Sequence, residues 1–126
     1  MQLAIEVHEE CTAQGVSPTV ALAVAMQESR FAADIESTTH DLGVFQVNYK
    51  NLFVKHRSYA AAAGPWDIKT YKGGVAAGCR AAAAWQKLKG KHWVRNYHCG
   101  TNGNLPHCYS YERDVLKWLS KGGRIS

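Results

Sequence analysis

The chain has 126 residues, a formal charge of +5 and an apolar fraction of 46% that includes four Trp and six Tyr. This is the size of one domain, and a chain so apolar and aromatic is not a disordered one. No apolar run reaches the roughly 18 residues of a membrane span. The positive charge, spread without long runs, suits a folded surface drawn to polyanions, and no zinc-finger spacing, RNP motif or basic helix marks a nucleic-acid module.

Residues 2–14 predict a first helix, because Leu3, Val7 and Cys11 recur every four residues and Gly15 can end it in the left-handed conformation. Ser17 and Pro18 read as the N-cap and first-turn proline of a second helix over about 18–30. That helix is apolar nearly all round from Val20 to Met26, the pattern of an element at the centre of a core. It carries one acid, Glu28, near its end. Residues 32–41 show no period and predict a loop or small hairpin, the hairpin falling at about 34–47. Val44–Asn48 suits a strand or the start of a helix. Residues 48–58 favour helix through Leu52, Phe53 and His56, and AAAGP at 61–65 breaks the chain.

Val75, Cys79, Ala82, Trp85 and Leu88 predict a long helix over 67–89, whose alanines allow close helix–helix approach. A short helix over 91–98 carries Trp93 and Tyr97, and a polar loop follows from Gly100 to Leu105. A last helix over 108–121 puts Tyr111, Val115, Trp118 and Leu119 on one face and stops at Gly122. The expected fold is a single mainly α domain over residues 1–126, built around a buried central helix. Four cysteines allow three pairings. Cys11 and Cys79 fall on apolar helix faces and read as buried free thiols. Cys99 and Cys108 share a short loop, where they read as free thiols, as a disulfide or, with His98 and His107, as a zinc set whose spacing fits no common finger.

A lone Glu at the end of a buried helix has two readings. It is a helix-end carboxylate paired with Arg30 or Arg80, or a general acid. Walled by Ala25, Met26 and Phe31, its carboxyl group would hold a proton near neutral pH and could give it to a leaving oxygen. Glu28-Ser29, followed by Asp41-x-Gly43-x-x-Gln46-x-Asn48, resembles the lysozyme superfamily. It is most similar to the small lytic transglycosylases (SLT domain) of phage, conjugation and secretion systems. WDIKTYKGGVAAG at 66–78, the phrase Trp93–Gly100 and the pair Tyr111 and Val115 continue the resemblance in order.

The resemblance implies an α+β lysozyme-like fold and cleavage of the β-1,4 bond between N-acetylmuramic acid and N-acetylglucosamine in peptidoglycan. Glu28 would protonate the glycosidic oxygen, then remove the proton of the muramic acid's own 6-hydroxyl, which closes a 1,6-anhydro ring. The alternative is a hydrolytic lysozyme that uses Glu28 with Asp41 as second carboxylate; otherwise Asp41 organises its loop as an Asx-turn or cap. A further alternative is a module that binds peptidoglycan without cutting it. Ser29 would orient Glu28 or a substrate carbonyl, or cap its own helix. Gln46 and Asn48, on one side of an extended segment with Phe45 toward the core, would bind an N-acetyl group. Tyr97 would cross the cleft to Glu28 or a sugar. His98 departs from the family phrase, which has Asn there.

No metal, cofactor or nucleic-acid partner is expected, and the partner is the glycan strand, met by a monomer at the cell wall or in the periplasm. Glu6, Glu9 and Glu10 stand where a signal peptide would be basic. The expectation is therefore phage-encoded release, as by an endolysin or virion enzyme, or an export signal already trimmed away.

Overall fold

The computed structural model describes residues 2–38, 41–48, 70–100 and 103–120. The first helix, α1 (Gln2–Ala13), buries Leu3, Val7 and Cys11. Gly15 then takes φ 77°, which glycine adopts without a Cβ penalty. Next comes α2 (Pro18–Ser29), capped by the Ser17 hydroxyl, which accepts from the Val20 N–H at 3.3 Å, with proline at its first position. Ala21, Ala23, Val24 and Ala25 are wholly buried, so α2 is the central helix its apolar run predicts. Past Ser29 the chain turns sharply, with Arg30 and Phe31 both left-handed at φ 51° and 68°. Two adjacent non-glycine residues in that region cost about 1–3 kcal/mol each, which the surrounding packing must offset.

The predicted hairpin is present and small. Strand β1 (Asp41–Leu42) pairs antiparallel with β2 (Val47–Asn48), Asp41 opposite Asn48 and Leu42 opposite Val47, and Glu36 adds one bridge to Leu42. The segment Val44–Asn48 is neither all strand nor the start of a helix. Residues 43–46 form the turn, with Gly43 at φ 78° and Gln46 at φ 49°, and only Val47 and Asn48 are strand.

The long helix is α3 (Tyr71–Lys89), capped by Thr70, whose hydroxyl accepts from the Gly73 N–H at 3.0 Å. Gly78 decides how the hairpin meets it, since a Cβ there would fall 2.3 Å from the Phe45 ring. Val75, Cys79, Ala82 and Trp85 face the core as predicted, but Leu88 is 68% exposed, because the core contact ends one turn before the helix does. A 3-10 turn at Gly90–His92 leads into α4 (Trp93–Cys99), and α5 (Pro106–Ser120) closes the described structure. Asn48, the first residue of the predicted helix over 48–58, is strand instead; the rest of that helix, the break at 61–65 and the stop at Gly122 lie outside the described residues.

One buried cluster takes side chains from the five described α-helices and from Val44, Phe45 and Val47 of the hairpin. The reading of Cys11 and Cys79 as free thiols is overturned. They form a disulfide between α1 and α3, with Cα atoms 4.9 Å apart across 68 positions of sequence. Both do sit on apolar helix faces, but those faces meet each other. Closing so long a loop restricts the unfolded chain and stabilises the fold by about 4 kcal/mol on the chain-entropy model. A second disulfide, Cys99–Cys108, joins the end of α4 to the start of α5. Arg95 seats the same two helices, stacked at 4.4 Å on the Tyr109 ring and 3.5 Å from the Glu112 carboxylate. Among the described residues no helix is long and apolar enough to cross a membrane.

Candidate active site

Glu28 is the last residue but one of α2 and is partly buried. Its Oε2 accepts a hydrogen bond from the Tyr111 hydroxyl of α5. Among the described residues its partner is thus a hydroxyl, not the arginines considered for it. Burial raises its pKa, the Tyr111 bond pulls it down, and the charge of Asp41 raises it further, so that it stands at about 7. Desolvation is the largest of these causes, since a buried carboxylate forgoes its hydration while a carboxylic acid loses much less. A group poised there gives a proton and takes one back with comparable ease.

Ser29 is buried. Its hydroxyl lies 2.6 Å from the Val44 carbonyl and 3.1 Å from the Ala25 carbonyl. With one proton to give, it ties α2 to the hairpin and its own previous turn, so the expectation that it orients Glu28 or a substrate carbonyl does not fit the structure. Tyr97 likewise fails to reach Glu28. Its hydroxyl donates to the Phe45 carbonyl at 2.8 Å, fastening α4 to the hairpin turn. The tyrosine on the acid is Tyr111, a residue read from the sequence as part of an apolar helix face and of the family resemblance, but not as a partner of Glu28. The available signal was its hydroxyl, one of two polar groups, with the Trp118 indole N–H, in an otherwise apolar stripe.

Asp41 organises its loop. The Ser37 hydroxyl donates to its Oδ2 at 3.0 Å and accepts from its backbone N–H at 3.0 Å. Its charge nevertheless reaches both Glu28 and His98. Gln46 does not lie on an extended segment beside Asn48, as its expected role requires. It sits in the turn, and its side-chain nitrogen donates to the Gly43 carbonyl at 2.9 Å and the Ile35 carbonyl at 3.3 Å, which braces the loop from within. Asn48 lies on β2 with its backbone opposite Asp41.

His98, at the end of α4, lies flat on Tyr111, ring centroids 4.3 Å apart and planes 8° from parallel. His107 meets it edge-on at 6.2 Å. Burial, then the neighbouring His107, lowers the pKa of His98, against a smaller upward pull from Asp41. The ligand atoms of Cys99, His107 and Cys108 lie within 4.8 Å of one another. Both sulfurs are joined in the disulfide, however, and a disulfide is not the thiolate donor that zinc takes. Of the three readings weighed for Cys99 and Cys108, the disulfide is the one found.

The model of the transglycosylase SLT domain matches residues 6–72, just over half of the chain. The chain therefore belongs to this family, and the mainly α architecture is that of a lysozyme-like lytic transglycosylase. Membership gives it peptidoglycan as its substrate class and the bacterial cell wall as its place of action. The matched span holds Glu28, Ser29 and the hairpin; Tyr97, His98 and Tyr111 lie beyond it. Curated proteins and solved structures gave no match to the chain.

Proposed function

We propose that the chain cleaves the β-1,4 bond between N-acetylmuramic acid and N-acetylglucosamine with Glu28 as its one acid–base group, leaving a 1,6-anhydro end. The observation that carries this reading is the Glu28 carboxyl group, raised to about 7 on the central helix and held by a tyrosine hydroxyl. Protonated Glu28 gives its proton to the glycosidic oxygen. The bond from that oxygen to the muramic C1 breaks, and positive charge spreads over C1 and the ring oxygen. Glu28, now a carboxylate, takes the proton of the muramic 6-hydroxyl, whose oxygen bonds to C1. The catalyst ends as it began, and water is not consumed. Ring closure within one sugar brings the reacting groups together without a second binding event.

In this reading Asp41 is auxiliary. Its negative charge favours the protonated acid before cleavage and the cationic sugar after it. Asn48 contacts the substrate, while Ser29, Gln46 and Tyr97 act one step back by fixing the hairpin against α2 and α4. The domain acts as a monomer on glycan strands. The two disulfides support a working place outside the reducing cytoplasm, in the periplasm or beyond it, reached by phage release or by export.

The charge of Asp41 near Glu28 also favours a second reading, hydrolysis by the two carboxyl groups. Mass spectrometry of digested peptidoglycan separates the two. Anhydromuramic ends, lighter by one water than reducing ends, are expected, and reducing ends alone would establish the hydrolase. A Glu28→Gln variant that still binds glycan but no longer cuts it excludes a pure binding module.

A further inference from the structure

We infer that His98 is a positioning residue for this reaction, clamping the Tyr111 ring so that its hydroxyl stays on the Glu28 carboxyl group. The inference rests on the reading of Glu28 as the acid. Tyr111 can leave Glu28 only by swinging its ring, and the flat imidazole 4.3 Å away covers one face of that ring. The imidazole is itself held. Its neighbour Cys99 is bonded to Cys108, one helical turn before Tyr111, so the two stacked rings project from backbones joined covalently beside them. His107 meets the same imidazole edge-on at 6.2 Å. This chain carries His98 where the SLT phrase has Asn, a side chain with no ring to stack.

The groups that set the charge here come from several elements: Tyr111 and His107 from α5, Asp41 from β1, and His98 from α4. Among the described residues only Tyr111 bonds Glu28, and that bond lowers its pKa. Glu28 must be protonated to act, so activity is lost as pH rises through its pKa. If Tyr111 lets go, that pKa rises and the alkaline limb of the pH profile moves to higher pH.

The test is kcat, KM and the pH profile of the full chain on soluble glycan oligomers. His98→Ala is expected to lower kcat roughly three- to tenfold, the scale of one aromatic pair. KM should stay unchanged and the alkaline limb should move up. His98→Phe, which keeps a flat ring without a titrating group, restores both. In a Tyr111→Phe background, His98→Ala adds nothing further. An unmoved limb in His98→Ala, effects that add in the double variant, or a His98→Phe as impaired as His98→Ala overturns the inference. Should His98→Ala not fold, His98→Gln, of similar bulk but without a ring, gives the same comparison. A Glu28→Gln variant that still cuts removes the acid assignment itself; an inactive one beside an unmoved limb removes only the role of His98.

Discussion

The hairpin and the α2–α5 contact make an instructive pair. The hairpin holds several of the polar residues singled out from the sequence, yet Gln46 and the Ser37–Asp41 pair make hydrogen bonds inside the loop, and Ser29 and Tyr97 each reach one of its carbonyls. Across the α2–α5 contact Trp118 donates to Gln27, and there Glu28, raised to about 7, meets the tyrosine that tempers it. Conspicuous polarity marks the part of the molecule that is braced; Glu28, the proposed acid, stands at the end of an apolar helix, because burial is what keeps it protonated.

The strongest way to break this contrast is Glu28→Gln. Loss of roughly 100- to 10,000-fold in cleavage is expected, measured by release of soluble muropeptides. The same variant should be more stable to denaturant than the parent at pH 8. The pKa of Glu28 is raised from 4.5 to about 7 by folding, so the stability this group contributes is present below pH 4.5 and is lost as pH rises to about 7. Equal stability of the two at pH 8 would mean that the site carries no such strain.

On the stability side, replacing both Cys11 and Cys79 by Ala should cost about 4 kcal/mol, read from urea unfolding. Gly78→Ala should cost about 1–3 kcal/mol through overpacking against Phe45. It should also lower kcat, since the hairpin must shift; normal activity at reduced stability would uncouple the hairpin from the chemistry.

Two smaller effects sharpen the account of Glu28, with opposite signs. Tyr111→Phe removes a bond that lowers its pKa, so the alkaline limb should move to higher pH. Asp41→Asn removes a charge that raises it, so the limb should move to lower pH, and by less, because Asp41 is the weaker influence. Both shifts can be read from one series of rate measurements across pH. Abolition of activity by Asp41→Asn would instead make Asp41 a full catalytic partner.

Local patterns made the scaffold legible. Ser17-Pro18 marks the start of α2 and Gly15 the end of α1, and the three- and four-residue periods place α3 and α5 to within a few residues. The acid was legible because it stands alone on an apolar helix. What was not legible is which buried group meets which. A period says that Cys11, Cys79 and Tyr111 face inward, but not that Cys11 finds Cys79 across 68 positions or that Tyr111 finds Glu28 across 83. Gln46 escaped for a local reason, since a glutamine with positive φ is rare and the strand-like residues around it suggest an extended chain.

The Cys11–Cys79 bond also sets which parts of the chain can be parted from one another. Glu28, Asp41 and Asn48 all lie inside the covalent ring it closes, while His98 and Tyr111 lie outside. A protease that cuts once anywhere between those two cysteines opens the ring without releasing a fragment. Each half of the opened loop would stay joined through its own end of the disulfide, and only a reductant would break the last covalent link between the two pieces.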